Sequence, residues 1–214
     1  LRLFTACFAP LSDFWVPVLL VITIITLFIG NITALYQQSF KRMLAFSSIS
    51  HAGYLLFAIV ALGASSANSV FIYATAYSIA SIIAFGALIL VHQQSGSDNF
   101  ESFNGLSKKN PFLALVLTIA MLSLAGIPLT AGFIGKFFMF STALRQYQVL
   151  LVILAVVNAI ISIFYYFKVI IAMYFRDAER AELIVPVYYK FVFGFAALAI
   201  ILIGIYPGFI SNLI

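Results

Sequence analysis

Lys136 stands inside the apolar run LSLAGIPLTAGFIGKFFMFSTAL with no acidic residue beside it. An ammonium at membrane depth costs about 3 kcal/mol on insertion scales, so a chain that keeps one there moves charge or binds it. The same run carries Gly126, Pro128, Gly132 and Gly135, the marks of a broken helix. A lysine on a broken membrane helix points to ion or proton transport. Two readings of the side chain stay open: it snorkels to the nearer interface, or it faces a hydrated interior and loads and releases a proton. Phe137, Phe138, Met139 and Phe140 follow it, and Arg145 already supplies an interfacial charge, which favours the second.

Lys168, in SIFYYFKVIIAMYF, is eight residues before Arg176, roughly 12 Å of helical rise. That places it toward the charged side, where relay and snorkelling are equally open and where Tyr165 and Tyr166 fit an aromatic belt. His51 follows FSSIS, nine residues past Arg42, close to mid-depth by the same rise. A lone histidine among small polar residues is either an interhelical hydrogen-bond partner or, with an ordinary pKa of ~6.5, a relay between two lysines. The relay is the favoured reading, with Ser47, Ser48, Ser50 and Tyr54 able to hold waters beside it. His92, at the end of its apolar stretch, reads as interfacial. Asn31, Asn158 and Ser162 read as helix–helix contacts, and Gly30, Gly53 and Gly86 as sites of close packing. Asp98, Glu101, Asp177, Glu179 and Glu182 all fall in loops, so no intramembrane carboxylate is available to Lys136, and any acidic partner is expected outside this chain.

The elements that must position these groups follow from composition. Of 214 residues 64% are hydrophobic and 8% charged, whereas soluble domains carry about 25% charged residues. The class is therefore an all-α integral membrane protein. Runs such as VPVLLVITIITLFIG do not alternate as strands of a membrane barrel would. The single cysteine, Cys7, excludes an internal disulfide and disfavours a cysteine-based metal site. The net charge of +5 reads as an orientation signal, not as nucleic-acid binding. The chain opens on Leu1 without an initiator methionine, so a partial or cleaved chain is expected, LRLFTACF being the end of a further helix.

Six transmembrane helices are expected, over residues 14–36, 43–62, 70–92, 111–144, 149–175 and 188–210 of a single membrane domain. About 20 residues cross a ~30 Å hydrocarbon core, so 111–144 is too long, and Gly126-Ile127-Pro128 supplies a break near 126–128. Backbone groups freed at that depth must be buried in protein or face water. The stretch 149–175 has no such breaker and is expected to tilt or protrude. Pro111 and Pro186 suit helix starts. Lys41, Arg42, Lys108, Lys109, Arg176, Arg180 and Lys190 fall on one side of an alternating topology, against Arg2 and Arg145 on the other. By the positive-inside rule the first group is cytoplasmic, in a bacterial inner membrane more readily than an organellar one.

Two stretches carry a family resemblance. GNITALYQQSFKRMLAFSSISHAGYLL resembles the segment K-R-x-L-A-[YF]-S-S-I-x-H-x-G of the antiporter-like membrane subunits of respiratory complex I and their Mrp cation/proton antiporter relatives. LAGIPLTAGFIGKFFMF resembles that family's broken twelfth helix. Phe137-Phe138 after the lysine, SFKR and SIFYYFKV are similar to the subunit N branch. The resemblance implies a fourteen-helix fold with two inverted five-helix repeats, of which this sequence holds the second repeat plus the final helix. It implies that Lys136 ends a proton path, that His51 bridges within it, and, by a looser match, that Lys168 belongs to it. The family's glutamate on the fifth helix and lysines on the seventh and eighth have no counterpart here.

The implied function is proton translocation as a subunit of an NADH-quinone oxidoreductase, driven by quinone reduction elsewhere. The alternative is a subunit of a Mrp-type cation/proton antiporter. No cofactor or metal is expected on this chain, and NADH, FMN, Fe-S clusters and quinone are expected on other subunits. The implied partners are antiporter-like neighbours, small membrane subunits of the complex and lipids.

Overall fold

The computed structural model describes residues 3–62, 67–145, 148–177 and 183–208. Arg2, Glu179, Arg180 and Glu182, the loop residues 63–66 and the end of the last expected span lie outside the described residues. Within them the regular elements are all helical: α1 (Ser12–Leu35), α2 (Phe40–Leu62), α3 (Ala67–Ser95), α4 (Leu106–Lys109), α5 (Pro111–Ala125), α6 (Ala131–Arg145), α7 (Val149–Phe175) and α8 (Val187–Ile205). Among the described residues five apolar helices are long enough to cross a membrane: Ala9–Leu35, Phe40–Val60, Ala67–Ser95, Val149–Phe175 and Val187–Ile205. This is a multi-pass membrane protein.

The helices sort their residues by solvent. On α1, Thr23, Leu27, Gly30, Asn31 and Ala34 are buried, while Ile22, Ile25, Ile29 and Ile32 are exposed, so small and polar residues face the bundle and isoleucines face outward. Lipid tails are as apolar as leucine, so packing and hydrogen bonds hold such a bundle more than apolar burial does. Close approach therefore matters: a Cβ on Gly30 would sit 2.6 Å from the backbone nitrogen of Ser50, and α1 and α2 pack tightly there.

The fourth apolar stretch is two helices. Asn110 caps α5, its side-chain oxygen accepting from the Leu113 N–H at 2.9 Å, and Pro111 occupies the first turn, where its missing N–H costs nothing. The helix stops at Gly126, which adopts φ 85°, a conformation open to glycine. The Gly126 N–H donates to the Ser123 carbonyl and the Ile127 N–H to the Leu122 carbonyl, the paired bonds of a Schellman turn. Leu129 is held at φ 70° before α6 begins, and Thr130 Oγ1 donates to the Ile127 carbonyl at 2.7 Å. Each half is 15 residues, roughly 22 Å long.

The polar segment after α3 is ordered. It forms a 3-10 turn, Phe100–Phe103, and then α4, and it buries Phe100, Phe103 and Leu106 against the bundle. Backbone pairing of Ser39 with Asn99 joins it to the α1–α2 turn. The Gly105 N–H donates to the Ala172 carbonyl, and Lys108 meets Asp177 at 2.7 Å. Lys41, Lys108, Lys109 and Arg176 thus gather at one end of the bundle. Pro186 stands just before α8.

Candidate functional site

The break makes the site. A helix leaves its last carbonyls without an internal partner, and the Schellman turn satisfies only those of Leu122 and Ser123. The carbonyls of Leu124 and Ala125 are left, and Lys136 Nζ donates to both at 3.1 Å. They lie at the negative end of the α5 dipole, where a cation is favoured. The ring of Tyr54 faces the ammonium from α2, its centroid 4.9 Å away, within cation–π range. Lys136 is 4% exposed. It turns inward, so the snorkelling reading fails.

Two glycines let the lysine reach the break. A Cβ on Gly126 would lie 2.9 Å from Lys136 Cδ. One on Gly132 would overlap the Ser123 carbonyl oxygen, where the Gly132 N–H donates to Ser123 Oγ at 3.1 Å. The start of α6 therefore lies directly against the end of α5, and the lysine folds back onto the turn. The ammonium has hydrogen-bond partners on this chain, not as carboxylates but as carbonyls whose availability depends on how the helix ends.

His51 is buried, and both its ring nitrogens are engaged. Nδ1 is 2.6 Å from the Tyr73 hydroxyl on α3, and Nε2 is 3.0 Å from the Tyr166 hydroxyl on α7. The Tyr77 ring lies against the imidazole with centroids 4.5 Å apart, and its hydroxyl donates to Ser48 Oγ. A slit lined by His51, Tyr73, Tyr77, Ser123, Leu124 and Gly132 runs from the histidine toward the helix break, and it is too narrow for a water-sized sphere. His51 and Lys136 thus belong to one buried region. Tyr54 packs beside both, 6.4 Å from the imidazole.

Lys168 lies elsewhere. Its Nζ donates to the Gln37 carbonyl at 2.9 Å, lies 3.4 Å from Gln38 Oε1, and sits over the Phe100 ring at 4.4 Å. It ties α7 to the carbonyl end of α1. Among the described residues no hydrogen bond or ring contact joins it to His51 or Lys136.

Several polar residues behave differently from their sequence reading. Tyr165 and Tyr166 are buried and hydrogen-bonded, not part of an interfacial belt. Ser162 donates to the Ala159 carbonyl of its own helix. Ser47 and Ser50 likewise bond to the Leu44 and Ser47 carbonyls, so their protons are already committed. Asn31 and Asn158 do join two helices: Asn31 Nδ2 donates to Asn158 Oδ1 at 3.1 Å. His92 pairs with Asp98 at 2.7 Å on the charged end. Sequence reasoning passed over Tyr73 and mistook Tyr166. The signal was a polar stripe: Asn158, Ser162, Tyr165 and Tyr166 recur at helical spacing on one face of α7.

Residues 1–162 match the family described as NADH:quinone oxidoreductase/Mrp antiporter, TM. NADH-quinone oxidoreductase subunit N of Cytophaga hutchinsonii is 42% identical over 190 residues, covering 86% of this chain and 40% of that protein. The subunit N of Dehalococcoides mccartyi is 38% identical over all of this chain and 46% of its own length. The chain thus spans less than half the length of these relatives. Among solved structures, a chain of respiratory complex I from Thermus thermophilus with bound aureothin superposes with TM-score 0.80 at 33% identity, over 90% of this chain and 44% of that one. A chain of the Mrp complex from Dietzia shares the fold, with TM-score 0.85 at 19% identity over 97% of this chain and 47% of that one.

Proposed function

The chain belongs to the NADH:quinone oxidoreductase/Mrp antiporter membrane family, and on that premise we propose that it is the proton-translocating portion of a subunit N of an NADH-quinone oxidoreductase. The observation that carries the reading is Lys136: an ammonium buried on the two spare carbonyls of a broken helix, in the same region as a buried histidine. A lysine held by neutral dipoles can give up its proton without leaving an unpaired carboxylate behind. The carbonyls are weak partners whose geometry depends on the break, so a shift of α5 against α6 changes how well the charged form is held. Lys136 receives a proton from the inside, exchanges it with His51 and releases it outward. Lys168 stands at the charged end, where protons enter.

In this reading α5 and α6 cross the membrane together as the fourth of six spans, and the charged end faces the cytoplasm of a bacterial cell. Quinone reduction drives the relay. NADH, FMN, Fe-S clusters and quinone are held by other subunits, and neighbouring membrane subunits and lipids surround this one.

The test is Lys136→Ala in the full-length subunit within its complex, with proton pumping followed in inverted membrane vesicles. Pumping should be abolished and coupled quinone reduction slowed, with assembly retained. Normal pumping by the assembled variant would sink the assignment. Sodium-driven proton exchange in vesicles without NADH would instead place the chain with the Mrp-type antiporters.

A further inference from the structure

His51 has both nitrogens bonded to tyrosine hydroxyls, and a neutral imidazole offers one donor and one acceptor. Which nitrogen carries the proton decides which side of the residue can take up another. The surrounding hydrogen bonds answer this when followed from a group whose role cannot change.

That group is the Leu154 carbonyl, which can only accept. Asn158 Nδ2 donates to it at 2.9 Å, so Asn158 Oδ1 must be the end facing Asn31. Oδ1 also only accepts, so Asn31 turns its amino group to it, at 3.1 Å. This leaves Asn31 Oδ1 facing Tyr165, whose hydroxyl must donate, at 2.8 Å. The Tyr165 proton is then committed, and its oxygen is left to accept. The Tyr166 hydroxyl lies near those of Tyr165 and Ser47. The Ser47 proton is already given to the Leu44 carbonyl. Both neighbours therefore offer Tyr166 an acceptor, and the Tyr166 oxygen keeps a lone pair for His51. Among the described residues the Tyr73 hydroxyl has no hydrogen-bond partner but His51 Nδ1, so it donates there and leaves His51 Nε2–H to donate to Tyr166.

We propose that the buried chain Asn158–Asn31–Tyr165–Tyr166 is a positioning arm that holds His51 in its Nε2–H tautomer, with Nδ1 turned to Tyr73 as the proton-accepting nitrogen. The arm ends in an amide and a backbone carbonyl, neither of which is a base at working pH, so it orients and does not conduct. Conduction is on the other side. A proton reaching the Tyr73 oxygen forms one O–H bond while the original Tyr73 O–H breaks and Nδ1–H forms. His51 becomes an imidazolium donating to both tyrosines, and the reverse shift discharges it. The slit beyond Tyr73 leads to the Lys136 cradle and is too narrow for water in this conformation, which leaves the hydroxyl as the donor within reach. The ionisable groups around the ring are Tyr54 from its own helix, Tyr73 and Tyr77 from α3, Tyr166 from α7 and Lys136 from α6. An orienting partner that fixes a histidine tautomer is a familiar device at metal sites and in catalytic triads.

This inference rests on the proton-relay reading, and its test separates the two. The full complex is prepared with 15N-labelled histidine, and the His51 ring signals are identified by their loss in His51→Ala. Nδ1 should resonate as an unprotonated nitrogen and Nε2 as an N–H, and an Nδ1–H tautomer overturns the proposal. Tyr166→Phe, and separately Asn158→Leu, should give a mixture of tautomers. Both should lower pumping about tenfold, the low end of what losing a histidine's orienting partner costs. Full pumping with an unchanged tautomer in an assembled Tyr166→Phe complex also overturns it. If instead His51→Ala and Lys136→Ala both pump normally, the relay reading itself fails, whichever tautomer is seen.

Discussion

Lys136 and the Asn31–Asn158 pair show two ways of keeping polarity inside a membrane bundle. The lysine is held by carbonyl dipoles and an aromatic face without a carboxylate, and its substitution to arginine separates charge from proton transfer. Arginine keeps the cation but does not release its proton in proteins, so Lys136→Arg should pump as poorly as Lys136→Ala in inverted vesicles. Restored pumping would make Lys136 a fixed charge and not a carrier. The asparagine pair is fully satisfied, and removing one member strands the other. Asn31→Leu leaves Asn158 Oδ1 and the Tyr165 hydroxyl without their partner, a cost of about 1–3 kcal/mol in a buried site. Polar contacts within membranes average nearer ~0.6 kcal/mol. The midpoint of thermal inactivation of the complex should fall. Because the two residues share one bond, the Asn31→Leu/Asn158→Leu double variant should lose less than the sum of the singles.

The α5–α6 break is the element on which the site depends. Gly126 combines a left-handed backbone with contact to the lysine stem, so an added methyl meets both strain and a neighbour. The backbone part alone is of order 1–3 kcal/mol. Gly126→Ala should still insert, since its helices stay apolar, but it should displace Lys136 from the Leu124 and Ala125 carbonyls. Pumping should fall by an order of magnitude or more, and wild-type pumping would show that the cradle is dispensable. Gly132→Ala is expected to be harsher. Its methyl overlaps the Ser123 carbonyl, backbone against backbone, so less subunit should appear in purified complex on immunoblotting.

Over the whole molecule, basic residues gather at one end, where Lys41 and His92 meet Asp98 and Lys108 meets Asp177. In a Cys7→Ser background, an impermeant thiol reagent applied to intact cells should label Gln148→Cys. Lys108→Cys should react only after permeabilisation, and the reverse pattern would invert the proposed orientation. The surface ion pairs themselves carry little. The hydrogen bond and charge of Lys108 hold the Asp177 carboxyl below the usual carboxylate range. Whatever this tie adds to stability is present above the unfolded-state pKa and is lost as pH falls through the lower folded-state value. At neutral pH and physiological salt, Asp177→Asn should leave the thermal midpoint unchanged.

Local sequence established the class, the break and two ionisable groups inside apolar spans. Each is a property of local chemistry: apolar runs of spanning length, a Gly-Ile-Pro interruption, and a lysine and a histidine where ionisable groups are costly. The tertiary structure decided what those groups touch. The carbonyl partners of Lys136 exist only because the Schellman turn uses Leu122 and Ser123 and spares the next two, and because Gly132 brings α6 against α5. The tyrosines on His51 come from α3 and α7, 22 and 115 residues away, and no local pattern encodes that meeting. Lys168, on an unbroken helix, was drawn to the Gln37 carbonyl in the turn after α1. Helix ends and helix faces choose hydrogen-bond partners, and both are set by packing.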